Sequence, residues 1–190
     1  MANMVGTVSI QMPRDADLEF VRRVKRGEID AFEILIRKYE RRLFVFARNL
    51  LKTSDQVEDL VQEVFLAAYR NLHSFDPELG LFSTWLMRIA RNKCLNESKK
   101  KKGMPLADVP EMPGKENPEA DLMRKEAFRR LDQALQMLSF RQRIVFVLAE
   151  IQGFSHEAIA GIEKTKIGTV KSRLSRAKEH LRSILKDLER

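Results

Sequence analysis

Phe154–Leu185, FSHEAIAGIEKTKIGTVKSRLSRAKEHLRSIL, reads as two helices joined by a tight turn, and this reading decides the fold. In the second helix Ile167, Val170, Leu174, Ala177, Leu181 and Ile184 recur at three-and-four spacing, which gathers apolar side chains into one stripe to be buried. At roughly 100 degrees per residue the opposite side is centred on Gly168, Ser172, Ser175 and Arg176, flanked by Thr169, Lys171, Arg173 and Lys178. Between Lys164 and Lys178 stand six Lys or Arg and no Asp or Glu. Such a face can neutralise phosphates while Arg176 and the serines reach base edges, the arrangement of a helix-turn-helix recognition helix. The same pattern also describes an ordinary amphipathic helix with a solvated basic face. Ser155 is expected to cap the first helix, which should end near Gly161, with Thr165 capping the second.

Composition is consistent with a polyanionic partner. The chain has 190 residues, 44% of them apolar and 33% charged, enough for one or two globular domains. A formal charge of +8 and few aromatics or glycines favour nucleic acid as the partner and helices over sheets. The lone Cys94 has no disulfide partner, and no cysteine spacing suggests zinc. No apolar run approaches the roughly 20 residues of a membrane span, and the N-terminus lacks the pattern of a signal peptide, so the expectation is a cytoplasmic protein.

The expected architecture is all-α, with two small helical domains, residues 15–98 and 121–190, on a flexible linker of residues 99–120. The stretch around that linker, SKKKKGMPLADVPEMPGKENP, holds four of the six prolines, which oppose helix, with a short ordered piece expected near Leu106–Met112. Two domains on such a tether can be extended or clamped together, and the sequence leaves both open.

Upstream, AFEILIRKYERRLFVFARNLL (Ala31–Leu51) carries Phe32, Leu35, Ile36, Tyr39, Leu43, Phe46 and Leu50 at helical spacing, with Asp30 as the expected N-cap. SDQVEDLVQEVFLAAYRNL (Ser54–Leu72) buries Val57, Leu60, Val61, Val64, Phe65 and Ala68 and turns Asp59, Gln62, Glu63 and Leu66 outward. Asp55–Glu63 holds four acids and no base, which would repel DNA. It is either a solubilising face or a docking patch for a basic helical surface, with Leu66 as the apolar anchor.

After the loop HSFDPELG, the helix FSTWLMRIARNKCLNES (Phe82–Ser98) reverses the charge, with seven bases against one acid from Arg88 to Lys102. Phe75, Phe82 and Trp85 lie beside this strip in sequence. They could stack unpaired bases or simply fill the core, and Trp85 suits the core.

Taken in order, AFEILIRKYERRLF, DLVQEVFLAAYRNLHSF, FSTWLMRIARNKCLN, LSFRQRIVFVLAEIQGFSHEAIA and IGTVKSRLSRAKEHL resemble the sigma-70 class of bacterial transcription initiation factors. The resemblance is to the small extracytoplasmic-function type and runs from about Asp17 to Leu188. It implies a factor that binds core RNA polymerase and directs it to promoter DNA. By that resemblance Asp59, Gln62, Glu63 and Leu66 dock on the clamp coiled coil of the largest polymerase subunit. Ser74, Phe75, Arg88, Arg91, Asn92 and Lys93 engage the melted minus-10 strand, with one flipped base held by the loop His73–Leu79 and Asn92. Thr169, Lys171, Ser172, Arg173, Ser175, Arg176 and Lys178 read the minus-35 duplex. It further implies an anti-sigma partner, often membrane-bound, which would hold the factor at the inner membrane. Where relatives have an apolar residue, then Gly or Asn, then an apolar residue in the turn, this chain has Glu163, Lys164 and Thr165. Residues 1–14 lie outside the resemblance.

No catalytic constellation stands out: His73, His156 and His180 are scattered, and there is no glycine-rich phosphate loop. The expectation is no catalysis, cofactor, metal or small-molecule substrate. Two rival readings use other features: a stand-alone dimeric helix-turn-helix regulator, and a membrane-surface adaptor acting through Lys99–Lys102.

Overall fold

The longest apolar stripe of the N-terminal half sets up its packing. In the computed structural model, which describes residues 14–51, 54–100 and 130–188, Asp30–Leu50 forms helix α2 and buries Phe32, Leu35, Tyr39, Leu43, Phe46 and Leu50, while Ile36 is only partly covered. Helix α1, Arg14–Lys25, and helix α3, Ser54–Arg70, pack on it. Asp30 is not the cap. Ile29 occupies that position without a side-chain bond, and Asp30 is the first helical residue, where its charge favours the helix N-terminus. Asp17 ties α1 to α2 by accepting hydrogen bonds from Lys38 Nζ and, at 2.5 Å, from Tyr39 Oη. Burial and the Asp17 carboxylate hold the Tyr39 phenol protonated, its pKa far above the ordinary value.

Val57, Leu60, Val61, Val64, Phe65 and Ala68 of α3 are all buried. The loop that follows contains two short 3-10 turns, Leu72–Ser74 and Pro77–Leu79; the Asp76 carboxylate accepts from Glu78 N at 2.9 Å to cap the second. Helix α4 then runs Phe82–Lys100, past Ser98. Its start is anchored by stacked edges: the Phe82 ring lies 5.7 Å from Tyr39, 5.6 Å from Phe75 and 5.7 Å from Trp85.

From residue 130 the chain is helical again. Helix α5 covers residues 130–137, and α6 covers Phe140–Phe146. The corner between them is held by a capping box of Ser139 and Gln142 and by the buried Arg143. Its guanidinium donates to Gln136 Oε1 at 2.6 Å, Gln136 O at 2.7 Å and Leu138 O at 3.1 Å. Burial lowers the Arg143 pKa while the charge of Asp132 opposes that shift. Helix α6 widens into a π turn, Val147–Ile151, before α7, His156–Glu163, and α8, Ile167–Leu188. The linker region from residue 101, including Leu106–Met112, and the stem at residues 1–13 lie outside the described residues.

Among the described residues there is no strand, and the two groups of helices are clamped together. Helix α4 packs on α7, and α2 packs on α6 and the π turn. Ile144, Val145, Leu148, Ile159, Ile162, Val170 and Leu174 belong to the same buried cluster as the cores of α1–α4. A second cluster joins Ala134, Leu135 and Leu138 to Ala177, Leu181 and Ile184. Among the described residues no helix is long and apolar enough to cross a membrane.

Candidate nucleic-acid interface

The helix-turn-helix forms, by a different turn from the one expected. The Ser155 hydroxyl caps α7 by accepting from Ala158 N at 3.2 Å. Helix α7 does not stop near Gly161: it continues through Glu163 and ends at Lys164, whose φ of 50° and ψ of 52° place it in the left-handed region. That conformation suits Gly or Asn and makes Lys164 a strained choice. Thr165 is one residue too early to cap α8, which starts at Ile167, with Val170 N donating to Lys166 O at 3.2 Å.

Helix α8 buries Val170, Leu174, Ala177, Leu181 and Ile184 as its spacing requires. Ile167 departs from the stripe and is 39% exposed. Gly168, Lys171, Ser172, Ser175 and Arg176 are exposed, while Thr169, Arg173 and Lys178 are partly covered. Ser172 Oγ donates to Thr169 O at 3.1 Å. Two of the cations are already engaged: Lys178 Nζ lies 2.8 Å from Glu150 and Arg173 Nη1 lies 3.5 Å from Glu163. His156 lines an open depression of about 310 Å³ with Lys171, Ser175, Lys178, Glu179 and Arg182. The crossing of α7 over α8 brings it there. The position of a histidine one residue after the cap, beside a recognition helix, was the available signal.

On α4, Asn92 is exposed and its Oδ1 accepts from Arg91 Nη1 at 3.1 Å. Arg88 is partly covered, and Lys93 Nζ lies 2.6 Å from Glu63. Arg91 Nε donates to Glu163 Oε1 at 2.6 Å, across the contact of α4 with α7. Ser74 is exposed, its hydroxyl donating to Asn71 O at 2.7 Å. Phe75 is different. It is only 3% exposed and its ring meets those of Phe82 and Trp85, so it supports the loop from inside and presents no face for a base to stack on. Trp85 belongs to the same core.

The acidic patch is assembled as its spacing requires. Asp59, Gln62 and Glu63 are exposed on α3 beside Leu66, a large apolar side chain 54% exposed. Among the described residues no group of three His, Cys, Asp or Glu converges as a metal would require.

The chain matches known proteins along most of its length. The family description Sigma-70 region 2 matches residues 35–103, and Sigma-70, region 4 matches residues 128–181. The RNA polymerase sigma-H factor of Pseudomonas aeruginosa is 31% identical over 94% of this chain and 98% of its own length. The ECF RNA polymerase sigma factor SigW of Bacillus subtilis is 33% identical over 88% of this chain and 96% of its own. Among solved structures, CnrH in complex with the cytosolic domain of CnrY superposes with a TM-score of 0.71 at 26% identity, covering 91% of this chain and 99% of that one. The sigma factor RpoE in complex with the anti-sigma factor NepR from Bartonella quintana gives 0.68 at 31% identity, covering 82% and 96%. A stand-alone regulator is not favoured by these matches. The chain belongs to the extracytoplasmic-function sigma factors of the sigma-70 family, transcription initiation factors that bring RNA polymerase to promoter DNA.

Proposed function

We propose that the three surfaces divide the work of promoter selection. Residues 15–98 form the unit that docks on polymerase and reads the melted minus-10 strand, residues 99–120 link, and residues 121–190 read the minus-35 duplex. The observation that carries this reading is the segregation of charge: acid with an exposed Leu66 on α3, base on α4 and α8. Asp59, Gln62, Glu63 and Leu66 dock on a basic helical surface of the polymerase clamp, where like charge would exclude DNA. Ser74, Arg88, Arg91, Asn92 and Lys93 hold the displaced strand and a flipped base, with Phe75 as the packed support of the loop. Flipping costs a few kcal/mol of stacking and pairing, which the pocket and polymerase together must offset. Lys171, Arg173 and Lys178 contact phosphates, while Thr169, Ser172, Ser175 and Arg176 face the major groove.

Bond-making chemistry belongs to the polymerase, and this chain contributes recognition without catalysis, cofactor or metal. CnrH and RpoE were each solved with a bound partner, the cytosolic domain of CnrY and the anti-sigma factor NepR. An anti-sigma factor of that kind is proposed to hold this chain inactive in the cytoplasm, at the inner membrane where that partner is anchored there. The deciding experiment is run-off transcription by core polymerase on a pool of genomic fragments, with and without the protein. Initiation at discrete sites sharing a two-part motif supports the reading. An active core that gains no sites, alongside DNA binding by the protein alone, would overturn it.

A further inference from the structure

Glu163 is a buried acid shared between two arginines. Its side chain is 1% exposed, and it binds Arg91 of α4 at 2.6 Å and Arg173 of α8 at 3.5 Å. Those arginines stand 72 and 10 residues away in sequence, and each is a cation of one proposed DNA-reading face. A buried carboxylate between two guanidiniums offers them what a phosphate would offer. Nearby, a second clasp joins the same helical groups. Arg42 of α2 donates to Gln152 Oε1 at 3.2 Å and Gln152 O at 3.0 Å, and Gln152 Nε2 donates back to Arg42 O at 3.2 Å. The Arg42 guanidinium also lies 5.1 Å from the centroid of the Phe154 ring. The π turn makes this possible: Gln152 N bonds to Val147 O at 2.9 Å, and the widened turn directs Gln152 toward α2.

We propose that the Glu163 carboxylate is an internal phosphate mimic that latches the two helical groups closed, with Arg42–Gln152 as its companion clasp, so that the free chain withholds Arg91 of α4 from DNA until the latch opens. The consequence for DNA rests on the reading of α4 and α8 given above; the closure itself does not. In the closed form α4 faces α7, and Arg91 is spent on Glu163. Opening must separate the shared core as well as the ion pairs, so the latch is a bistable element that a tight partner such as polymerase can bias. A charged residue at a buried turn position, otherwise a liability, thereby gains a role.

The test uses the full chain carrying spin labels at Arg70→Cys on α3 and Ser183→Cys on α8, both exposed positions. Cys94 is buried and should stay unlabelled. Label separation is measured in the otherwise native chain, in Glu163→Gln, in Arg42→Ala and in Glu157→Gln, an exposed acid on α7 that matches the charge change without touching the latch. Affinity for a random-sequence single-stranded DNA oligonucleotide is read in parallel, with helicity checked by circular dichroism.

Glu163→Gln and Arg42→Ala should each lengthen the separation, and Glu157→Gln should not. A closed form populated at about nine-tenths lowers apparent affinity about tenfold, so opening returns about that factor. Arg42→Ala is the sharper arm, because it must bind DNA more tightly despite losing a positive charge. Unchanged separation in both latch variants would overturn the proposal, as would a lengthened separation with no gain in DNA affinity. If Glu163→Gln fails to fold, Arg42→Ala alone carries the same decision. Failure of run-off transcription with the label result intact would remove the promoter reading and leave the closure standing.

Discussion

Reversing the acidic face of α3 separates docking from stability by magnitude. In the variant Asp59→Lys with Glu63→Lys, folding should lose little. Asp59 is exposed, and Glu63, with its side chain 61% exposed, loses an ion pair at 2.6 Å with Lys93. A surface pair of this kind is screened and contributes less than about 1 kcal/mol. Neither position carries the α3 apolar stripe, whose six members face the other way. At a polymerase interface the balance inverts, because each reversed charge meets a basic partner at close range in partly excluded water. At about 1.4 kcal/mol per reversed charge, the double variant should bind core polymerase about a hundredfold more weakly. The loss should shrink as salt rises, since the Debye length falls from about 10 Å at 0.1 M to about 3 Å at 1 M. Anisotropy titration of labelled protein with core polymerase at two salt concentrations reads the affinity, and urea unfolding reads stability. An affinity unchanged in a variant with native helicity would refute the docking assignment. Leu66→Ala gives an independent check: an exposed leucine should cost the fold almost nothing and the complex about 1.5–3 kcal/mol if it is buried there.

Arg176→Ala should lose about 1 to 3 kcal/mol of discrimination at one or two minus-35 base pairs, read by competition among single-base promoter variants; a uniform loss across sequences would mean a phosphate contact instead. Lys164→Gly should raise stability by about 0.5–1 kcal/mol, since glycine removes a left-handed backbone cost of about 1–2 kcal/mol and returns part of it as chain entropy; a lowered urea midpoint would contradict the turn geometry. Burial pushes the Cys94 thiol up to about 12, so the folded chain should resist alkylation at pH 8 and react once unfolded; rapid labelling of the native protein would show that α4 is not packed as described.

Much of the site was legible because its elements are local. The stripe on α8 and its basic opposite face follow from residues within a few turns of one another, as does the acidic face of α3. Periodicity could not assign Phe75, since an aromatic beside a basic strip suits a base or a core equally. Its burial depends on Phe82 and Trp85 arriving from the next helix. Nor could it assign Ile167, which satisfies the stripe's spacing yet is 39% exposed.

The sequence by itself determined the helices, their apolar faces, the acidic and basic segregation, and through its ordered motifs the sigma-70 family. These are properties of residues close along the chain, where backbone geometry alone sets which side chains share a face. Only the tertiary structure decided that the two helical groups close on one another, and that Glu163 completes α7 and lies buried between Arg91 and Arg173. A carboxylate at a turn reads as a mismatch until the cations that neutralise it are in place, and one of them is supplied from 72 residues away.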